Sequence, residues 1–194
     1  VGRSELSEMH AIENLRMYPF IHEDFIKYNL DTPFPLATYM RSLLDGGSKT
    51  VYGDKTVESM TVPQILVSDL LEEISFQIAR AVGSLLSFRQ KDMVTATDQF
   101  VKSVLYGSQV YIVDQKGKYI LRYDEIVEQV IGSELDEEYK KLVTSAMKIR
   151  KSEEALSMQM IFTAISYLNQ IVRRSVKQQM RQGNKVMLEG VEIV

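Results

Sequence analysis

The 194-residue chain has no cysteine and only two histidines, His10 and His22. The lack of cysteine excludes disulfides, thiolate metal ligands and a thiol nucleophile. Histidine chemistry has almost no material. Glu8-Met-His10 sets acid and imidazole two residues apart, on different faces of a helix, whereas di-iron bundles use Glu-x-x-His pairs. No Gly-x-Ser-x-Gly elbow occurs. No basic, then apolar, then small-residue stretch opens the chain at Val1, so no signal peptide is expected. Repeats, low-complexity tracts and long linkers are also missing. Together these absences favour a protein that is not an enzyme, with no cofactor, metal site or small-molecule ligand. A soluble location is expected, cytoplasmic or within an assembly.

Another deficit is local. Between residues 155 and 172 there is no charged side chain, although Asp, Glu, Lys and Arg make up 25% of the chain. This neutral run lies in the clearest helical pattern of the sequence, residues 152–183. Ser152 suits the N-cap, and Glu153 and Glu154 place negative charge at the positive end of the helix dipole. Arg173, Arg174, Lys177 and Arg181 fall toward the other end, and Gly183 can close the helix in a left-handed turn. Eighteen residues almost span a bilayer. Yet Gln159, Thr163, Ser166 and Gln170 form a polar stripe that lipid would not accommodate, so no membrane span is expected. Ile161, Ala164, Ile165, Leu168 and Val172 are placed toward a core. Met158, Phe162 and Tyr167 lie off that stripe. They are candidate subunit contacts, because interfaces are depleted in charge and enriched in Met and aromatics.

Elsewhere the pattern alternates short helices with β signals. Helices are expected over 4–18, 22–28 and 36–44, with a loop at Asp31-Thr-Pro-Phe-Pro35. Residues 48–62 read as a hairpin around Gly53-Asp54. Pro63 opens a helix reaching about Phe88, apolar around most of its circumference and therefore expected at the centre. Asp92 caps a helix that Gly107 is expected to end. Residues 110–123 read as the best hairpin, with Asp114-Gln-Lys-Gly117 as its turn and Gly117 left-handed. A helix from Asp124 to Gly132 follows, then another from Ser133 or Asp136 through Met147. After Gly183, residues 186–188 and 191–194 read as β. The expected class is α+β, mainly α. One domain, 1–194, would comprise an N-terminal helical segment 1–47, the hairpin 48–62, core elements 63–151, and the long helix with its β tail, 152–194. Two or three small hairpins would flank the helical core.

Two short motifs imitate chemistry. Gly46-Gly-Ser-Lys-Thr50 ends like a phosphate loop but lacks its glycine spacing and its preceding strand. Asp98 with Asp114-Gln-Lys116 imitates a nuclease pair, but the second acid is expected in a turn, where it would be solvated.

The net charge of −3 divides unevenly. Residues 1–147 carry 15 Lys/Arg against 22 Asp/Glu, and residues 148–194 carry 8 against 4. An acidic body with a basic end can contact its own copies head to tail. The function expected is a self-associating structural or assembly subunit, a homo-oligomer of the kind found in rings or virus particles. The alternative is a nucleic-acid-binding accessory protein that uses Arg173, Arg174, Lys177, Arg181 and Lys185 as a ridge against phosphates.

Overall fold

A computed structural model describes residues 48–57, 60, 64–183 and 186–188. The helices expected over 4–18, 22–28 and 36–44, both histidines and the β segment 191–194 lie outside the described residues. Seven elements follow in order: β1 (Ile65–Leu66), α1 (Val67–Arg89), α2 (Met93–Lys116), α3 (Tyr123–Ile131), α4 (Glu137–Arg150), α5 (Met158–Gln182) and β2 (Val186–Leu188). The described protein is mainly helical, and the α+β expectation with several hairpins is wrong. Among the described residues strand pairing is confined to one short antiparallel contact, Ile65 opposite Leu188 and Leu66 opposite Val186.

The two expected hairpins fail for different reasons. Residues 48–57 contain no strand, and Val51 and Tyr52 are 92% and 98% exposed. A two-stranded ribbon with nothing to lie on is not stable in water. Residues 110–113 are instead the last full turn of buried helix in α2. Val110, Ile112 and Val113 are β-branched, which lowers helix propensity by only tenths of a kcal/mol, roughly, per residue. Burying each contributes about 1.5–3 kcal/mol, and all three are at most 1% exposed. Tertiary burial therefore overrides local preference. Gly117 is left-handed as expected, with φ +59°, but it terminates this helix, its N–H donating to Val113 O at 2.9 Å.

The central helix is α2, not the helix before it. From Ser103 to Val113 every residue except Tyr106 is buried, so this segment is covered around its whole circumference. It touches all four other helices. By contrast, α1 buries one stripe, Val67, Leu70, Ile74, Gln77, Ala81 and Ser84, and turns its other side outward. Gly107 does not end α2. It is a notch in mid-helix: a Cβ there would overlap Leu168 Cδ2 and approach Ile74 Cδ1 to 3.6 Å. The glycine brings α1, α2 and α5 together at one point. On another side of α2, the fully buried Tyr139 ring of α4 meets Ser108, hydroxyl to hydroxyl at 2.9 Å. Ser108 itself donates to Val104 O at 2.8 Å, which leaves Tyr139 as the donor of the pair.

The helix joints reuse one device. At the end of α1, Lys91 is left-handed, with φ +65°. Its N–H donates to Phe88 O at 3.1 Å and the next, Asp92 N–H, to Ser87 O at 3.0 Å. These bonds satisfy carbonyls that a helix end leaves free. Asp92 then accepts from Thr95 N–H at 3.1 Å and opens α2. At the end of α4, Ser152 takes the same role, with φ +61°. Ser152 N–H donates to Ile149 O at 3.0 Å and Glu153 N–H to Lys148 O at 2.9 Å. Ser152 thus closes one helix and, contrary to the expectation from sequence, does not cap the next. The long helix starts six residues later, where Ser157 Oγ accepts from Met160 N–H at 3.3 Å. Gly183, with φ +72°, follows its last residue as expected.

Two stability measurements test this account. Ser152→Gly relieves a left-handed side chain, so the urea midpoint should rise by an equivalent of about 0.5–1 kcal/mol; a fall would show that the serine side chain supports the joint. Gly107→Ala gains roughly 1 kcal/mol of helix propensity but overpacks the notch by about 1–3 kcal/mol, so a net loss is expected. Adding Leu168→Val should recover part of that loss. Simple additivity of the two changes would disprove the contact as described.

Candidate functional site

The outer sides of α1 and α5 are the most unusual surface. On α5, Ile161, Ala164 and Leu168 are fully buried and Ile171 nearly so, with Ile165 and Val172 packed at the core margin. Met158 and Phe162 face out, 40% and 48% exposed. Tyr167 does not join them. It is half-buried against Tyr139, ring centroids 5.0 Å apart, and its hydroxyl donates to Glu138 Oε2 at 3.3 Å. Burial, together with the Asp136 and Glu138 carboxylates, pushes its phenol up to about 12.

On α1 the exposed residues are Glu72, Ser75, Ala79, Val82, Leu86 and Arg89, a stripe at alternating steps of three and four. Val82 and Leu86 are 40% and 54% exposed. Helix direction places the two surfaces at matching heights. Ser84 Oγ donates to Ala96 O, and Ile74 meets Gly107, so α1 runs antiparallel to α2. Leu168 meets Gly107 while Arg174 reaches Asp114 and Gln115, so α5 runs parallel to α2. From the shared level of Ile74 and Leu168, Val82 and Leu86 lie in the same direction as Phe162 and Met158. At about 1.5 Å per residue, Phe162 stands level with the middle of the α1 stripe. Across both helices this side carries charge only toward its ends.

The basic end of α5 is partly engaged. Arg174 Nε lies 3.7 Å from the buried Asp114 carboxylate, and its guanidinium also bonds Gln115 and sits 5.7 Å from the Tyr111 ring centroid. Arg173, Lys177 and Arg181 are exposed. Lys185 lies outside the described residues.

A third feature left no linear signal. Arg80 of α1 lies over Phe76 at 4.7 Å and toward Tyr106 at 5.7 Å. Tyr123 donates to the Tyr106 hydroxyl at 2.8 Å, the rings meeting edge to face, and Arg150 covers Tyr123 at 4.7 Å. Burial lowers the Arg80 pKa, with the Glu73 carboxylate opposing; burial likewise raises Tyr123. Beside this cluster an open groove of about 510 Å³ runs past Met93, Val94, Asp98, Lys102, Tyr123 and Arg150. Its Asp98 and Lys102 neutralise each other at 2.8 Å. These groups come from four helices, and only packing gathers them.

The nuclease-like acids do not converge. Asp98 and Asp114 are sixteen residues apart on α2, roughly 24 Å along the axis, and each has its own cation, Lys102 and Arg174. Among the described residues no group of three or more acidic or histidine side chains is arranged to hold a metal. The Gly46–Thr50 stretch lies partly outside the described residues. No described helix is long and apolar enough to cross a membrane. Comparison with protein-family models, curated proteins and solved structures finds no match to this chain.

The buried Tyr139 and half-buried Tyr167 phenols predict alkaline behaviour. Tyr139 and Tyr167 are both pushed up to about 12, from an ordinary value of 10.0, first by burial. Their protonated forms are favoured by folding. The stability they contribute is fully present below pH 10 and is lost as pH rises toward about 12. Urea midpoints across that window should fall, and Tyr139→Phe should flatten the decline. An unchanged slope in that variant would contradict the assignment.

Proposed function

We propose that the protein is a non-enzymatic, self-associating structural or assembly subunit, and that the neutral outer side of α1 and α5 is its contact surface. The observation that supports this most is the combination of Val82, Leu86, Met158 and Phe162, all at least 40% exposed, at matching heights on two adjacent helices. Burial of such side chains against a second copy is the driving force available to association. Charge is confined to the margins, with Glu72 and Arg89 at the ends of the α1 stripe and Arg173 beyond the α5 patch. A neutral centre with a charged rim is the common anatomy of a protein–protein contact.

The nucleic-acid reading draws less support. Arg174, beside the ridge, is engaged by Asp114 and Gln115, which leaves Arg173, Lys177 and Arg181 as the other exposed cations there among the described residues. The larger assembly role, as a ring or particle component, extends the same proposal and requires a further contact beyond this face.

Mass in solution at several concentrations tests the reading. A concentration-dependent oligomer is expected, and a strict monomer throughout would overturn it. Phe162→Glu should weaken the oligomer at least tenfold while leaving the helical signal and urea midpoint of the subunit nearly unchanged, since the side chain is about half exposed. Unfolding of that variant would place the phenylalanine in the interior instead.

A further inference from the structure

The outward stripe of α1 is self-complementary, and we infer that the partner is a second copy of this chain docked with its own α1 antiparallel about a two-fold axis. This rests on the self-association proposed above and specifies its geometry. Glu72, Ser75, Ala79, Val82, Leu86 and Arg89 are the exposed positions, and their alternating steps of three and four are the spacing at which two helices share a continuous seam. An antiparallel copy pairs the first residue of the stripe with the last of the other. Glu72 then faces Arg89, Ser75 faces Leu86, and Ala79 faces Val82, each pair occurring twice by symmetry. The axis passes between Ala79 and Val82, where a small side chain beside a branched one permits close approach.

The end charges support this arrangement over its alternatives. Among the described residues Glu72 and Arg89 have no ion-pair partner within the chain. A parallel copy would set Glu72 against Glu72 and Arg89 against Arg89, so like charges would oppose it at both ends. In the antiparallel copy both ends carry opposite charges. Phe162 stands level with the axis, six residues from Leu168 as Arg80 is six from Ile74, around the shared contact at Gly107. The two copies of Phe162 therefore lie at the level of the seam's centre.

Charge exchange tests the inference on the full chain. Glu72→Arg alone and Arg89→Glu alone should each weaken the dimer at least tenfold by analytical ultracentrifugation at low salt. The double variant should restore it to within about threefold of the parent, because both pairs are re-formed with reversed sign. Because the chain has no cysteine, crosslinking provides a second readout. A mixture of Glu72→Cys and Arg89→Cys chains should form a heterodimeric disulfide, while neither variant alone should crosslink to itself. A dimer that survives both single reversals, or that crosslinks through Glu72→Cys alone, would overturn the two-fold arrangement but leave self-association standing. A parent chain that is monomeric at every concentration would overturn both.

Discussion

Everything in this fold depends on burying α2 from every side. A helix covered around its full circumference needs neighbours on all faces, and the chain supplies them in turn: α1 and α5 together at the Gly107 notch, α4 at Ser108, and α3 at Tyr106 and Lys116. The notch sets the closest approach. Because Leu168 occupies the space a Cβ would need, α5 sits nearer to α2 than two ordinary helix surfaces allow, and the heights of α1 and α5 are referenced to the same point. The central helix accepts polar groups only where they are matched. Ser103 and Ser108 bond to carbonyls of their own helix. Gln109 and Gln99 are exceptions: neither the Gln109 side-chain amide nor the buried Gln99 Oε1 has a partner among the described residues.

That arrangement determines which surfaces remain. Once the inward stripes of α1 and α5 are committed to α2 and to each other, their remaining sides face outward, and both are low in charge. The neutrality of α5 between residues 155 and 172 has two physical components. Ile161, Ala164 and Leu168 serve the core, whereas Met158 and Phe162 have no intramolecular burial sufficient to account for them. Water is a poor neighbour for the second group, and this is the basis for reading the face as a contact. The groove beside Tyr123 and Arg150 differs in kind. Its charges are already paired or held over aromatic faces, and its exposed apolar side chains, Met93 and Val94, sit among them.

Much of the helical content was legible in the chain. Asp92 capping, closure at Gly183 and Gly132, the left-handed Gly117 and the inward set of α5 all follow from local rules that need no knowledge of neighbours. The failures share a cause. Val110 to Val113 carry strand propensity, and Gly107 carries the mark of a helix end, but both lie inside a helix that only its neighbours make favourable. Ser152 resembles an N-cap because serine accepts hydrogen bonds well. It serves as a left-handed joint because the preceding helix needs its last carbonyls satisfied. Tyr167, chosen by its position off the core stripe, is drawn onto Tyr139 from another helix.

By itself the sequence determined the Asp92 cap, the closures at Gly132 and Gly183, which side of α5 is apolar, and that its centre holds no charge. Those properties come from backbone geometry and side-chain type within a few turns. Only the tertiary structure decided that α2 is central, that glycine at 107 is a point of contact, and that Val82 and Leu86 stand level with Phe162 and Met158. The reason is that burial is a property of the whole packed set of helices: the same valine is a strand residue or a helix residue according to what covers it.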